Sequence, residues 1–171
     1  MQALKMLVVA ALAASALAFA ATSQAANAPF PMNPYPGAST DYAFYLQTLF
    51  GHGSKVKPAK YCAQSSVFQR GNQIVFRLYI VDAHTGNVVT GKGMSRVTVE
   101  IPGQPDLVMT YKPQGGNPDA TSPWLWSVAW VIPSDYPVGT FAFKINATVK
   151  KTGKTVVYDP VVPGTDWEIT P

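Results

Sequence analysis

The chain has 171 residues, with 13 Lys or Arg against 9 Asp or Glu, for a formal net charge of +4. This length suits one domain with its own core, and the basic residues are scattered, without the aromatic interleaving typical of nucleic-acid binders. Cys62 is the only cysteine, so an internal disulfide is excluded. We therefore expect neither a disulfide-stapled scaffold nor a nucleic-acid partner.

The first 26 residues have the pattern of an export signal. Lys5 supplies positive charge, residues 6–21 form an apolar run, and residues 23–26 offer small side chains for cleavage. We predict a signal peptide over residues 1–26, export to the periplasm or beyond, and no stable membrane span after cleavage. An uncleaved membrane anchor is the alternative.

Residues 27–60 are predicted to form an extension ahead of the main domain. Its first part places prolines between Phe30, Met32 and Tyr35, a composition that favours an extended chain lying on a surface. A short helix is predicted from Ser39 or Thr40 to residue 50, because one helical face would collect Tyr42, Tyr45, Leu46 and Leu49. This face either packs on the domain or docks another protein. Residues 51–58 form a basic linker.

Residues 61–171 alternate apolar and polar side chains, which predicts an all-β domain. Seven or eight short strands separated by turn-forming residues are typical of a β-sandwich. The predicted strands are residues 61–68, 73–82, 96–101, 107–111, 124–132, 141–149, 155–162 and 167–170.

Residues 124–149 form the centre of this pattern. Trp124, Trp126 and Trp130 alternate along the first arm, and Phe141 and Phe143 begin the second. A period of two with a large apolar face on each arm predicts a central hairpin whose arms cover one core. Residues 133–139 supply the turn.

Two segments resemble bacterial immunoglobulin-like domains. Residues 135–147 read Asp-Tyr-Pro-Val-Gly-Thr-Phe-Ala-Phe-Lys-Ile-Asn-Ala and resemble the Pro-x-Gly-x-aromatic-x-aromatic-x-aliphatic stretch that introduces a late strand of those domains. Residues 71–77, followed by Asp82 and Gly86, are similar to their second strand and the turn after it. The resemblance covers roughly residues 61–170. It implies an immunoglobulin-like antiparallel β-sandwich of seven to eight strands with a Pro-rich, partly helical N-terminal extension. The chain lacks the paired cysteines of antibody domains. It implies no particular function, because this superfold hosts unrelated tasks.

The sequence contains no recognisable catalytic set. His52 lies between two glycines in the linker, His84 lies in a predicted turn, and neither a Gly-x-Ser-x-Gly elbow nor a phosphate-cradling loop is present. The acidic residues fall mainly in loops, where solvation explains them. We therefore expect a protein that is not an enzyme and has no cofactor.

A metal site is an alternative, since a copper site of the electron-transfer type uses two His, one Cys and often a Met. His52, His84, Cys62 and either Met94 or Met109 supply those residue types, but without the close Cys–His spacing of blue-copper domains. The competing interpretation of Cys62 is a buried, inert thiol at the start of a strand.

The tryptophans raise a carbohydrate-binding alternative, because indole faces stack on sugars. Their alternation is more typical of a core face, so we expect two or more of them to be buried. Trp124, beside Pro123, is the one expected to be exposed, and Leu125 on the opposite face is a second candidate for exposure.

Together these patterns predict an exported, non-enzymatic binding or accessory protein of the bacterial cell envelope. Its partner would be another exported protein or an envelope complex, contacted through the extension or through the loop of residues 112–123. The candidate contact residues are Phe30, Tyr35, Tyr42, Tyr45 and Trp124. A carbohydrate-binding module and a periplasmic copper-binding or redox-accessory protein are the alternatives, and the oligomeric state stays open.

Overall fold

The structure is a computed structural model that describes residues 41–114, 122–159 and 167–171. Residues 35–171 group into one compact unit. Three predicted segments lie wholly or mostly outside the described residues. They are the signal peptide, the Pro-rich segment with Phe30 and Tyr35, and the loop of residues 112–123. None of the residues in the described ranges forms a helix long and apolar enough to cross a membrane.

Strands are the main regular secondary structure of the described residues and take up about half of them. The strands are β1 Tyr42–Phe50, β2 Val67–Gln69, β3 Gln73–Asp82, β4 Met94–Glu100, β5 Leu107–Val108, β6 Thr110–Pro113, β7 Trp124–Val131, β8 Gly139–Phe141, β9 Lys144–Val149, β10 Thr155–Tyr158 and β11 Trp167–Thr170. One four-stranded sheet has the order β1-β3-β7-β6, a second has the order β10-β9-β4-β5, and a three-stranded sheet has the order β2-β11-β8. All pairs are antiparallel except β2 with β11.

The two four-stranded sheets cover one hydrophobic core, an arrangement consistent with a β-sandwich. The inward residues of β3 are fully buried, and Val97, Val99 and Ile145 of the second sheet belong to the same cluster. Alternation with a period of two sends every second side chain inward, so each strand contributes a row of aliphatic or aromatic groups. The all-β class predicted from the sequence is therefore confirmed.

An aromatic cluster fills one end of the core. Trp167 is 1% exposed and stacks on Phe143 at a ring-centroid distance of 4.4 Å and an interplanar angle of 17°. Phe76 lies 4.8 Å from the same indole, and Phe68 lies 6.4 Å away edge-on. Trp167 and Phe68 belong to the third sheet, Phe76 belongs to the first, and Phe143 lies between β8 and β9, so Trp167 connects the short third sheet to the main core.

One stretch of chain serves both four-stranded sheets. Leu107 pairs with Val99 in β4, whereas Thr110 pairs with Ser127 in β7. Met109, between them, is 3% exposed and donates its backbone N–H to the carbonyl of Val97 at 2.8 Å. The chain thus leaves one sheet and enters the other within a few residues, which closes one side of the sandwich.

The helix predicted from Ser39 or Thr40 to residue 50 is wrong over residues 42–50, which form β1. Tyr42 to Phe50 pair with Asp82 to Ile74 of β3. The helical face was built from Tyr42, Tyr45, Leu46 and Leu49, but Tyr42, Phe44, Leu46 and Phe50 also alternate with a period of two, and aromatic residues suit a pleated surface. Nine consecutive residue pairs with β3 show that the period of two applies, and they place this segment in the sandwich.

The strand predicted for residues 61–68 is mostly absent. Only Val67–Gln69 is a strand, with a single bridge between Gln64 and Leu49 before it. Cys62 has a positive φ of 59°, which interrupts an extended chain. Its side chain is exposed, so the expectation of a buried thiol is also wrong.

The predicted central hairpin is wrong in its pairing but right in its core. β7 pairs with β3 and β6, while β9 pairs with β4 and β10, so the two arms lie in different sheets. Tyr136, in the intervening loop, is 5% exposed and donates its hydroxyl to the carbonyl of Pro102 at 2.8 Å. The loop crosses the end of the core instead of reversing the chain within one sheet.

Candidate binding face

The outward residues of the first sheet combine aliphatic, aromatic, polar and cationic side chains. Because Ile74, Phe76, Leu78 and Ile80 point into the core at 0% exposure, Val75, Arg77, Tyr79 and Val81 point outward. The register of β1 places Tyr45 beside Tyr79, Gln47 beside Arg77 and Leu49 beside Val75. Directly opposed residues in antiparallel strands share a face, so these side chains lie on one side of the sheet, where Leu49 is buried at 4% exposure.

β7 and β6 extend this surface across the sheet. Ser127 lies opposite Arg77, Ala129 lies opposite Val75, and Lys112 lies opposite Leu125. We call the outward residues of β1, β3, β7 and β6 the tyrosine face. Its only charged side chains from the register above are Arg77 and Lys112, both cationic. Neither forms an ion pair with any residue in the ranges that the structure describes.

A shallow groove lies on the tyrosine face. It has a volume of about 260 Å³ and is lined by Val75, Arg77, Lys112, Pro113, Gln114, Leu125 and Ser127. Leu125 is 3% exposed and forms part of its floor, so the expectation that Leu125 is exposed is wrong. The groove thus combines an apolar floor with cationic groups on either side of β7.

The nearest acidic residue on β3 does not neutralise this charge, because its carboxylate is engaged in its own turn. Asp82 Oδ1 accepts the backbone N–H of Thr85 at 2.9 Å and that of His84 at 3.0 Å. The hydrogen bond from Thr85 is the main cause that holds the pKa of Asp82 below its ordinary value, and the one from His84 adds to it. Asp82 is therefore committed to the turn at the end of β3.

The outward face of the second sheet has a different character. Its register opposes Arg96 to Thr148, Thr98 to Asn146, and Glu100 to Lys144. Asn146 donates to Glu100 at 3.2 Å, and the hydroxyls of Thr148 and Thr155 lie 3.1 Å apart. We call this surface the polar face; several of its side chains interact with one another, and it carries both signs of charge.

The candidate contact residues fall in three places. Tyr45 is 61% exposed on the tyrosine face, and Tyr42 packs against the core from the first position of β1. Trp124 is 45% exposed, as expected from its position beside Pro123, and its indole lies 5.7 Å from the Tyr111 ring. Phe30 and Tyr35 lie outside the described residues. The structure thus places Tyr45, but not Tyr42, on the tyrosine face.

Trp126 and Trp130 are buried, which confirms the expectation that at least two tryptophans are core residues. Trp126 donates its indole N–H to the carbonyl of Val89 at 3.3 Å. Burial raises the pKa of Tyr111, and the nearby Tyr79 hydroxyl adds a smaller contribution in the same direction. Tyr111 therefore stays neutral at physiological pH and supports the exposed Trp124.

The structure brings two of the candidate metal ligands together, His52 and Cys62, but not His84 or Met94. His52 Nε2 lies 3.6 Å from Cys62 Sγ and its ring stacks on Tyr61, at the end of β1. His84 pairs with Asp41 at 3.1 Å, beyond the other end of β1, about 27 Å of strand away. Met94 is buried in the core at 2% exposure. Across the part of the chain that the structure describes, no three His, Cys, Asp or Glu side chains form a group that could hold a metal.

Sequence reasoning missed Arg77 and Tyr79 as surface candidates. The signal was present in β3, whose outward positions include Val75, Tyr79 and Val81 beside the polar Gln73 and Arg77. A strand that is apolar on both faces is typical of burial on both sides. Here the outward side of β3 is only half-buried, which marks the surface as a candidate for contact with another molecule.

Comparison with known proteins does not identify the chain. No family model matches it, and neither a curated protein nor a solved structure does. Its function therefore rests on its own residues and their arrangement.

Proposed function

We propose that the chain is an exported immunoglobulin-like sandwich that works by binding another protein of the bacterial cell envelope, without catalysis. The order β1-β3-β7-β6 in one sheet, with β10-β9-β4-β5 in the other, supports the immunoglobulin-like part. It is the order expected when β1, β3, β7 and β6 serve as strands A, B, E and D and β4, β9 and β10 as strands C, F and G. The export pattern of residues 1–26 supports an envelope location.

The observation that carries the binding role is the tyrosine face. Tyr45 and Tyr79 lie side by side on it, next to Arg77 and above the groove floored by Leu125. Tyr and Arg are the residue types enriched where protein interfaces concentrate their binding energy, and acidic residues are depleted there. An outward sheet face with this composition is suited to a protein contact.

Its flatness also favours a protein over a small ligand. Small-molecule sites are concave and bury most of the ligand, whereas the groove is shallow and the rest of the face follows the sheet. A contact that covers Tyr45, Tyr79 and the groove would remove two aromatic side chains from water. Substitution of such anchors commonly costs about 2 kcal/mol each, which corresponds to roughly 30-fold in affinity.

A photo-crosslinking amino acid placed at Tyr45, in cells of the organism that makes the protein, tests the role. We expect a discrete covalent adduct with one envelope protein from position 45. The matched control is the same amino acid at Thr155, which is exposed on the polar face. Equal labelling from both positions, or none from position 45, would contradict the proposal. Tyr79→Ser should lower the adduct yield from position 45.

A carbohydrate-binding role is the second candidate, favoured by the exposure of Trp124. Its indole with the neighbouring Tyr111 ring offers an aromatic platform of the kind that stacks on sugars. Titration with several envelope and plant polysaccharides should then quench tryptophan fluorescence, and Trp124→Ala should abolish the change. A flat titration in the wild type rejects this role.

A further inference from the structure

We infer that the partner presents an acidic side chain to the groove of the tyrosine face, where its carboxylate lies between Arg77 and Lys112. This inference rests on the proposed function and adds the chemistry of the partner. The groove lies across β7, with Arg77 on β3 at one side and Lys112 on β6 at the other. Arg77 lies opposite Ser127 and Lys112 lies opposite Leu125, two residues further along β7. Neighbouring strands are about 4.8 Å apart and each residue rises about 3.4 Å, so the two attachment points are about 12 Å from each other. Two long cationic side chains at that spacing can reach one carboxylate from opposite sides.

The surroundings of Arg77 leave its charge available. Its direct neighbours across the sheet are Gln47 and Ser127, which are uncharged. Asp82 on the same strand is held by the N–H groups of Thr85 and His84. A guanidinium binds a carboxylate with two parallel hydrogen bonds, and the low polarity of Val75 and Leu125 below strengthens such a pair.

The same charges argue against a second copy of this chain as the occupant. A twofold dimer would place the same patch on both subunits, so the Arg77 region would meet its own counterpart. None of the outward residues named on the tyrosine face is acidic, and like charges brought together in an interface are unfavourable. A different protein, apolar around a Glu or Asp, complements the face.

The test uses the adduct formed from the photo-crosslinker at position 45. We expect Arg77→Gln to lower the adduct yield about tenfold or more, since a charge-assisted hydrogen bond to a carboxylate accounts for at least that factor. Arg77→Glu should lower it further, and Lys112→Gln should have a smaller effect. Arg96→Gln is the matched control, because Arg96 lies outward on the polar face, and it should leave the yield unchanged. Equal yields from Arg77→Gln and Arg96→Gln would overturn the inference.

A charge swap then identifies the carboxylate. Each Glu or Asp in the crosslinked segment of the partner is changed to Arg, and one of these changes should restore the adduct with Arg77→Glu while weakening it with wild type. Failure of every such pair overturns the inference. If wild type gives no adduct at all, the proposed function fails with it. If the adduct persists in Arg77→Gln, only the acidic partner is rejected.

Titration of the ¹⁵N-labelled chain with sodium acetate and with inorganic phosphate tests whether the groove binds a free anion instead of a partner's carboxylate. We expect the amides around the groove to stay unsaturated up to tens of millimolar, because the partner's apolar contacts are missing. Saturation below about 1 mM, an affinity of about 4 kcal/mol, would mean a small-anion site and would overturn the partner assignment.

Discussion

The two outward faces of the sandwich share one interior and differ in almost everything else. On the polar face, Glu100 accepts a hydrogen bond from Asn146, and the hydroxyls of Thr148 and Thr155 interact. On the tyrosine face, Tyr45, Tyr79 and Arg77 have no comparable network among the hydrogen bonds and ion pairs of the described residues. A solvent-facing sheet surface normally follows the first pattern. The second pattern leaves these side chains to water in the isolated chain, which is the feature that supports the proposed binding role.

The difference also separates stability from function. Residues of the polar face interact with one another and so contribute to folding, although only slightly each. Residues of the tyrosine face have few such interactions with other described residues. Substitutions in the core and on the polar face should therefore change the free energy of unfolding, whereas those on the tyrosine face should change it little. Four experiments, in decreasing order of effect, measure this difference in stability.

The largest effect belongs to the interior that both faces cover. Trp167→Ala should lower the free energy of unfolding by about 3–5 kcal/mol, because it removes a buried indole packed against Phe143 and Phe76. Urea unfolding followed by circular dichroism measures this. A loss below about 1 kcal/mol would mean that the third sheet does not share the core of the other two.

A smaller loss is expected where the two main sheets are connected by a side chain. Tyr136→Phe removes the hydroxyl that reaches the carbonyl of Pro102 at 2.8 Å, between the loop after β7 and the turn after β4. The cost should be about 1 kcal/mol, since the ring still packs on Trp130 and only the hydrogen bond is lost. Thermal unfolding of this variant, compared with Tyr45→Phe on the exposed face, isolates the effect. An equal shift in both variants contradicts it.

The polar face should respond to salt. Lys144 Nζ lies 3.4 Å from Asp159 Oδ2, and both side chains are partly exposed. Lys144→Ala should therefore cost less than about 1 kcal/mol at low ionic strength and almost nothing in 1 M NaCl, where the charges are screened. Urea unfolding at both salt concentrations gives the comparison. A cost that is the same at both concentrations would assign the effect to packing.

The smallest effect concerns pH. The folded-state pKa of Asp82 is lowered, mainly by the Thr85 hydrogen bond, so its ionised form stabilises the fold above the unfolded pKa of about 3.9. That contribution is lost as the pH falls through the lower folded pKa. Unfolding of wild type and Asp82→Asn should differ slightly at pH 7 and converge near pH 2. A difference between the two proteins that grows as the pH falls would contradict the stabilising role of the ionised Asp82 carboxylate.

The strands that could be predicted are those whose sequence determines the period and both ends. β3 was predicted to the residue, because four fully buried side chains alternate between the turn at residues 71–72 and the Asp82 turn. The β9–β10 hairpin followed from Gly153, which has a φ of 68°. β1 was missed because its aromatic residues satisfy a helical and an extended pattern equally, and only pairing with β3 distinguishes them.

The candidate site was less predictable than the fold, since a face exists only once strands are placed side by side. Tyr45 and Trp124 were singled out one at a time, but the register that brings Tyr45 to Tyr79 and Lys112 to Leu125 joins residues far apart in the chain. His52 likewise lies close to Cys62 because Cys62 donates a backbone hydrogen bond to the carbonyl of Phe50. Spacing along the sequence carries none of this information.

The passage of the chain from β5 to β6 at Met109 has a mechanical consequence. Because a single covalent segment is hydrogen-bonded into both layers, one layer cannot slide past or peel from the other without breaking bonds on each side of that residue. The sandwich should consequently yield to stretching in one step, and a partner that pulls on the outer surface of the first layer transmits its load directly to the second.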